Sequence, residues 1–432
     1  MKNIIFILFC FATNHIVSQE IYFPPLNSNL PWDTISPESL GWCVDQTDEL
    51  YDFLEQGNAK GFIVLKDGKR VLEKYFGTFT QDSLWYWASA GKTITSFLVG
   101  KAQEEQYLSI DEPTSNYLGG GWTNCTPEQE QNITLWNQLT MTTGLDDGVP
   151  DDNCTIDTCL NYLQDTGERW AYHNAPYTLL EDVITDATGQ GINLYTNQKL
   201  KVKTGMTGIW LTLDYNNIYY SDLRSMARFG LLAQNNFIWD EDTLLYDTAY
   251  VNQMTNTSQE INLSYGYLWW LNGKPSFMAP GLQIPIPIEL APVAPDDMFA
   301  ALGKNGQILS VARSSGIVFA RMGDPPGDNG AVPITYTNDI WEKLNTIMCG
   351  VISVEEDVVQ KLKLYPNPSS NEINLQITCT AKAVIQIINV LGEVVIDEIF
   401  SSRVDVSSLS TGIYIVRVNE GGRIFQEKFL KE

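Results

Sequence analysis

Apolar residues along the first 350 positions alternate between short solid runs and helical spacing. Phe62-Ile63-Val64-Leu65 and Val71-Leu72-Glu73-Lys74-Tyr75-Phe76 flank Lys66-Asp67-Gly68-Lys69. Two strand-like runs around an Asp-Gly turn predict a β-hairpin. Residues 37–57 carry Pro37 early, then Leu40, Cys43, Val44, Leu50 and Phe53, with Gly57 at a natural stop; this predicts a helix. Residues 90–105 place Ile94, Phe97, Leu98 and Ala102 on one helical face, and further helices are expected at 222–235 and 335–348. Residues 134–180 read as short helices and loops. Met298-Phe299-Ala300-Ala301, Ile308-Leu309-Ser310-Val311-Ala312 and Gly316-Ile317-Val318-Phe319-Ala320 read as antiparallel strands. Two strands first, helices in the middle, strands and a helix last: one antiparallel sheet with helices on both faces satisfies that order, an α/β sandwich of the α+β class.

The pattern changes after Gly350. Val354-Glu355-Glu356-Asp357 is a charged stretch within an expected linker over 350–358. From 359 to 432 the chain becomes short alternating strands, Ile373–Ile377, Val384–Ile388, Val394–Ile396 and Ile413–Val418, separated by turns such as Asn367-Pro368-Ser369-Ser370. A small all-β sandwich domain is expected there. At the other end, Lys2 followed by Ile4-Ile5-Phe6-Ile7-Leu8-Phe9-Cys10-Phe11-Ala12 predicts a signal peptide over residues 1–19, cleaved near Ser18, Gln19 or Glu20. The run is too short to span a bilayer. Bulky Phe9 before Cys10 argues against lipidation. No later segment is long and apolar enough to span a membrane, so the mature chain is expected to be exported, secreted or on the cell surface.

Composition narrows the function. The 432 residues carry a net charge of −25 and 44% apolar residues, with a pI near 4.4. The length suggests two or three domains with ample core. Such an acidic chain repels nucleic-acid phosphates and anionic lipid, so neither is an expected partner. Export makes disulfides possible. Cys154 and Cys159, close together in a loop-like stretch, are the expected pair, while the pairing of Cys43, Cys125, Cys349 and Cys379 stays open. Only two histidines occur, and His15 lies in the expected signal peptide, leaving His173. No metal site and no cofactor are expected. A Ser-His-Asp triad would have to be built on His173 alone, so a hydrolase on this chain is expected to use Lys, Tyr or a carboxylate as its base.

Ser89-Ala90-Gly91-Lys92 meets that requirement. The serine and lysine are three apart at an expected helix start and share one face. The helix N-terminus favours negative charge on the serine oxygen, and a lysine in a dry cleft can lose its proton near neutral pH and accept the serine's. Ser-x-x-Lys also arises by chance at about this frequency of serine and lysine, so it is the context that gives it weight.

Further segments follow in order: Ile133-Thr134-Leu135-Trp136-Asn137-Gln138-Leu139-Thr140-Met141-Thr142-Thr143-Gly144-Leu145, Tyr172-His173-Asn174, Ser221–Gly230, Tyr265–Trp270 and Gly303-Lys304-Asn305-Gly306-Gln307. Together with Ser89-x-x-Lys92 they resemble the serine β-lactamase and penicillin-binding-protein superfamily over residues 37–349. The likeness is greatest to its class C-like branch of esterases and 6-aminohexanoate-dimer hydrolases. The resemblance implies a β-lactamase-like fold and an acyl-enzyme at Ser89. Lys92 and Tyr172 would handle protons, Tyr172 as a phenolate or a relay whose pKa Lys92 lowers. Asn174 would hold Lys92 and meet a substrate carbonyl, and Gly303, Lys304 and Gln307 would line the substrate strand. The backbone N–H groups of Ser89 and Lys304 would form an oxyanion hole, the side chain of Lys304 being a solvated charge. The lysine of the β-lactamase Lys-Thr-Gly falls on Ala301, which favours small esters or short amides over penicillins. β-Lactam or D-amino-acid peptide cleavage is the alternative, and a catalytically inactive binding or sensor protein the alternative of another class. Most of the Trp residues near these motifs are expected to be core, with one or two lining an acyl pocket.

Leu364-Tyr365-Pro366-Asn367-Pro368, Asn389-x-x-Gly392, Asp405–Tyr414 and Lys428-Phe429-Leu430-Lys431-Glu432 resemble the type IX secretion sorting domain of Bacteroidetes. This implies the secretion machinery as a partner. A small carbohydrate-binding sandwich is the other reading, and no cluster of exposed aromatics supports it.

Overall fold

The computed structural model describes residues 21–27, 30–327, 331–349, 362–377, 383–389, 394–420 and 423–432. The expected signal peptide and linker lie outside these. The chain divides into two compact units, 1–352 and 353–432.

The first unit is built on six antiparallel strands: β1 (Ala59–Lys66), β2 (Lys69–Tyr75), β3 (Trp270–Leu271), β4 (Met298–Gly303), β5 (Gln307–Ala312) and β6 (Ile317–Gly323), in the order β2-β1-β6-β5-β4-β3. Its main helices are α1 (Thr47–Gln56), α2 (Lys92–Glu104), α3 (Asn174–Thr188), α4 (Leu223–Gln234) and α5 (Ile334–Ile347). The solid apolar runs of β5 and β6 follow from burial on both faces. On one face Leu309 and Val318 press on α4 so closely that a Cβ at Gly230 would stand 2.6 Å from each. On the other, Trp341 of α5 donates from Nε1 to Ser310 Oγ at 3.0 Å and meets Phe319 edge-on at 5.6 Å. Neighbouring residues of one strand thus serve opposite layers.

The hairpin turns where its sequence predicts. Asp67 and Gly68 have φ of 48° and 82°, the left-handed pair that a two-residue hairpin turn needs. The single helix expected over 37–57 is divided. Gly41, at φ 74°, ends a 3-10 turn at Pro37–Leu40, and the α-helix begins only at Thr47. Left-handed Gly41 reverses the chain, which mixed helical spacing does not reveal. Cys154 and Cys159 are bonded as expected, and Cys43 is bonded to Cys349, 306 residues away. Cys125 is the free thiol among the described residues.

In the second unit a three-stranded sheet (Lys363–Tyr365, Glu372–Gln376, Arg403–Asp405) and a four-stranded sheet (Val394–Ile399, Val384–Asn389, Gly412–Glu420, Arg423–Lys431) share a core that includes Ile373, Ile385, Ile387, Val404, Val416 and Phe429. Among the described residues no helix is long and apolar enough to cross a membrane.

Candidate active site

Ser89 stands on a single 3-10 turn, Ala88–Gly91, that runs directly into α2. Buried Trp87 fixes the approach: its N–H donates to Tyr219 O and its Nε1 to Ser221 Oγ, both at 2.8 Å. Ala88 has φ 47°, a left-handed conformation costing a residue with a Cβ roughly 1–2 kcal/mol. Surrounding contacts therefore hold this turn in a shape the sequence alone would not choose.

The end of β4 closes against the same turn. Gly303 has an ordinary φ, but a Cβ there would lie 2.3 Å from Trp87 O and 3.0 Å from Ala90 N. Glycine is needed for proximity, and it brings Gly303 and Lys304 alongside Ser89. Asn305, at φ 64°, ties the following turn to the strand before Ser89 by donating from Nδ2 to Tyr86 Oη at 2.8 Å. The Lys304 side chain is exposed, as expected of a solvated charge.

Lys92 is buried beneath the half-exposed Ser89. Its Nζ donates to Ser89 Oγ at 3.2 Å and to Asn174 Oδ1 at 2.8 Å, and lies 4.0 Å from the centre of the Tyr177 ring and 5.2 Å from that of Tyr172. Burial pulls its pKa down to about 7, against the opposing pull of Asp152 and Glu181. A lysine in that range is a competent proton acceptor. Asn174 begins α3 and donates its Nδ2 to Asp152 Oδ2 at 3.0 Å, leaving one N–H to spare. Asp152 also accepts from Ala175 N–H through its backbone carbonyl at 3.0 Å. The Cys154–Cys159 bridge closes the loop that immediately follows it.

Tyr172 is 8% exposed, stacked on Trp270 at 5.7 Å and edge-on to Tyr265 at 6.2 Å. Burial raises its pKa, and a hydrogen bond with Ser89 only partly offsets this. This corrects the expectation that Lys92 lowers the phenol toward phenolate. Buried among aromatic rings and near Asp152, the neutral hydroxyl is the stable form.

One other expectation changes. Gln307 is fully buried, and its amide is spent on Asn305 O at 3.1 Å, Gly323 O at 2.7 Å and the Gly323 N–H at 3.1 Å. It fastens the β4–β5 turn to the end of β6 and has no group left for a substrate. Ala301 is buried within β4, so no cation stands at that strand position. His173, between Tyr172 and Asn174, is 2% exposed with both ring nitrogens unpartnered among the described residues, and burial holds its pKa near 4. Its charged neighbours are Asp146, Asp147 and Arg169, not Ser89. Trp87, Trp170, Trp269 and Trp270 are core, as expected.

Sequence reasoning missed Asp152 and Glu181. Asp152 carries no spacing signal, since only folding brings its loop to Asn174. Glu181 was detectable: it interrupts Tyr177-Thr178-Leu179-Leu180, four residues after Tyr177 and on the helix face that carries Asn174. It is 1% exposed.

Residues 52–332 match the beta-lactamase family, and residues 363–432 match the secretion system C-terminal sorting domain. An uncharacterised protein of Alkalihalophilus pseudofirmus is 23% identical over 352 residues, covering 72% of this chain and 95% of its own. A candidate beta-lactamase from Bacteroides dorei superposes with a TM-score of 0.58 at 17% identity, over 71% of this chain and 99% of that one. A candidate 6-aminohexanoate-dimer hydrolase from Bacillus anthracis gives 0.56 at 15% identity, over 76% and 91%. A penicillin-binding-protein homologue from Caulobacter crescentus gives 0.53 at 13%, over 72% and 98%. At these identities the superpositions establish the fold, and the C-terminal match marks the chain for type IX export to the cell surface or beyond. The long match over the first unit settles kinship: the chain belongs to the beta-lactamase family and carries a type IX secretion sorting domain at its C-terminal end.

Proposed function

We propose that the first unit is a serine hydrolase that cleaves small esters or short amides through an acyl-enzyme at Ser89. The observation that carries this reading is the contact of Lys92 Nζ with Ser89 Oγ at 3.2 Å, made by a lysine whose burial brings its pKa to about 7. Lys92 takes the Ser89 proton as Oγ attacks the carbonyl carbon. The N–H groups of Ser89 and Lys304 receive the negative charge that forms on the carbonyl oxygen. When the tetrahedral intermediate collapses, the leaving alkoxide or amine takes the Tyr172 hydroxyl proton, and Lys92 restores it. Water then enters the same path in reverse and releases the acid. The spare Asn174 N–H would donate to a substrate carbonyl.

Buried Ala301 supports esters and amides over penicillins, since it offers no cation to a β-lactam carboxylate. The sorting domain is proposed as an address with no part in catalysis. A fluorophosphonate probe followed by digestion is the direct test, with label expected on the Ser89 peptide. A folded sample without label there would leave the rival reading, an inactive binding protein on the same scaffold. Steady nitrocefin turnover far above that of p-nitrophenyl butyrate would make the substrate a β-lactam instead.

A further inference from the structure

Helices α2 and α3 face each other with two polar rungs. The upper rung is Lys92 to Asn174. One turn further along α2 and two turns further along α3, Thr95 Oγ1 donates to Glu181 Oε1 at 3.2 Å, and Tyr177 Oη donates to the same oxygen at 3.3 Å. The Tyr177 ring lies between the two levels, 4.0 Å from Lys92 Nζ on one side and hydroxyl-bonded to Glu181 on the other. Glu181 Oε2 is buried without a hydrogen-bond partner among the described residues. Burial opposes ionisation of this carboxyl, while hydrogen bonding from Asn217, Thr95 and Tyr177 favours it. A buried carboxyl normally has a cation at hand or stays protonated.

We propose that Glu181 is a positioning residue for Lys92, a buried proton-holding group in the rung beneath Lys92 and Asn174 that sets the pH at which the lysine becomes free to accept the Ser89 proton. This rests on the hydrolase reading above. Burial raises the pKa of Glu181 to about 8, against the pull of Asn217, Thr95 and Tyr177, so the carboxyl and the lysine compete for protons over the same range. The titratable groups around the pair are Tyr177 and Asp182 on the same helix, Asp152 and Tyr172 beside Asn174, and Tyr265 against the two tyrosines. Burial raises the pKa of all three tyrosines and of both aspartates, so the tyrosines stay neutral while Lys92 and Glu181 exchange protons. Ionised Glu181 holds the proton on Lys92, and neutral Glu181 lets it go. The two groups therefore titrate as a coupled pair, with a broadened rise in activity.

The test is the rate at which a fluorophosphonate labels Ser89, measured from pH 5 to 9.5 on the folded full chain. Glu181→Gln keeps an oxygen for Thr95 and Tyr177 and removes the titration. The variant is expected to reach half its maximal rate at a pH lower by roughly half a unit or more, with a rise as steep as a single proton gives. Thr95→Val, which withdraws one donor from the carboxylate and so favours its neutral form, should move the midpoint the same way by less. It serves if Glu181→Gln does not fold. Midpoints unchanged from wild type in a folded variant overturn the proposal and leave the hydrolase reading standing. A wild-type chain that takes no label at any pH overturns the hydrolase reading, and this inference with it.

Discussion

Lys92 is held by Asn174 more closely than it touches Ser89: Nζ to Oδ1 is 2.8 Å and Nζ to Oγ is 3.2 Å. The asparagine, itself anchored to Asp152, aims the amine, and in the proposed mechanism the longer contact is the one that does chemistry. Ser89→Ala is expected to abolish acyl-enzyme formation. Lys92→Ala should lower kcat/KM for a p-nitrophenyl ester by about 10²–10⁴-fold, with circular dichroism confirming the fold. Activity within a few-fold of wild type would remove Lys92 from the mechanism.

The same lysine sets opposed demands on activity and stability. Its folded pKa, about 7, lies below the ordinary lysine value of 10.5. Between those values the unfolded chain binds the proton and the folded one does not, so this component of stability rises with pH from about 7 to 10.5. Its cost is fully present below 7. Lys92→Met should therefore be inactive yet melt higher than wild type at pH 6, with the gain shrinking as the pH is raised toward 10. Thermal melts at pH 6, 8 and 10 check the trend, and a variant less stable than wild type at pH 6 would contradict it.

Tyr172→Phe keeps the stacking on Trp270 and deletes the hydroxyl. If the neutral hydroxyl relays protons, kcat should fall strongly while KM and the melting temperature change little. A hydroxyl that is only a satisfied core group would leave activity near wild type and cost about 1 kcal/mol of stability. Because burial raises the phenol pKa, no Tyr172 phenolate absorbance is expected in a titration from pH 7 to 10.

His173 is the control. His173→Leu should keep most of the activity, since neither ring nitrogen has a partner among the described residues. The folded pKa near 4 lies below the ordinary 6.5. Stability contributed by the neutral ring is thus present above 6.5 and lost as pH falls from 6.5 toward 4. Urea midpoints at pH 7, 5.5 and 4 should fall less steeply for the leucine variant. A His173→Leu enzyme as inactive as Ser89→Ala would restore a histidine-based mechanism.

The strands, the Asp-Gly hairpin and the Ser89–Lys92 pair each leave a local mark: alternation or solid apolar runs, a turn dipeptide, a three-residue spacing at a helix start. Tyr172 and Asn174 were singled out only by the resemblance of Tyr172-His173-Asn174 to a family motif, and folding brings Asn174 to Lys92. Gln307 was misread for a physical reason. A polar residue beside a site motif looks available until the fold buries it against the end of β6. The phenolate form of Tyr172 was misjudged because a pKa depends on burial, which a motif does not carry. Asp152 and the Cys43–Cys349 bond were out of reach, being contacts between distant segments.

That bond is also open to test. Cys43→Ser with Cys349→Ser frees a loop of 306 residues and should cost about 2–5 kcal/mol, read as a lower urea midpoint with ester hydrolysis intact at 25 °C. A chain ending after Gly350 keeps both cysteines and is expected to keep wild-type kcat/KM while losing delivery to the cell surface. Loss of hydrolysis in a well-folded truncation would tie the second unit to catalysis.

The position of the bond has a mechanical consequence. Cys349 lies just past the end of α5, and Cys43 donates its N–H to Ile347 O at 2.7 Å beside it. Tension applied to the chain beyond Cys349 is therefore shared at once with the segment before α1. The last helix cannot be peeled from the sheet by itself; the two ends of the unit must give way together. Whatever hauls the protein by its tail pulls on a clasped ring rather than on a loose thread.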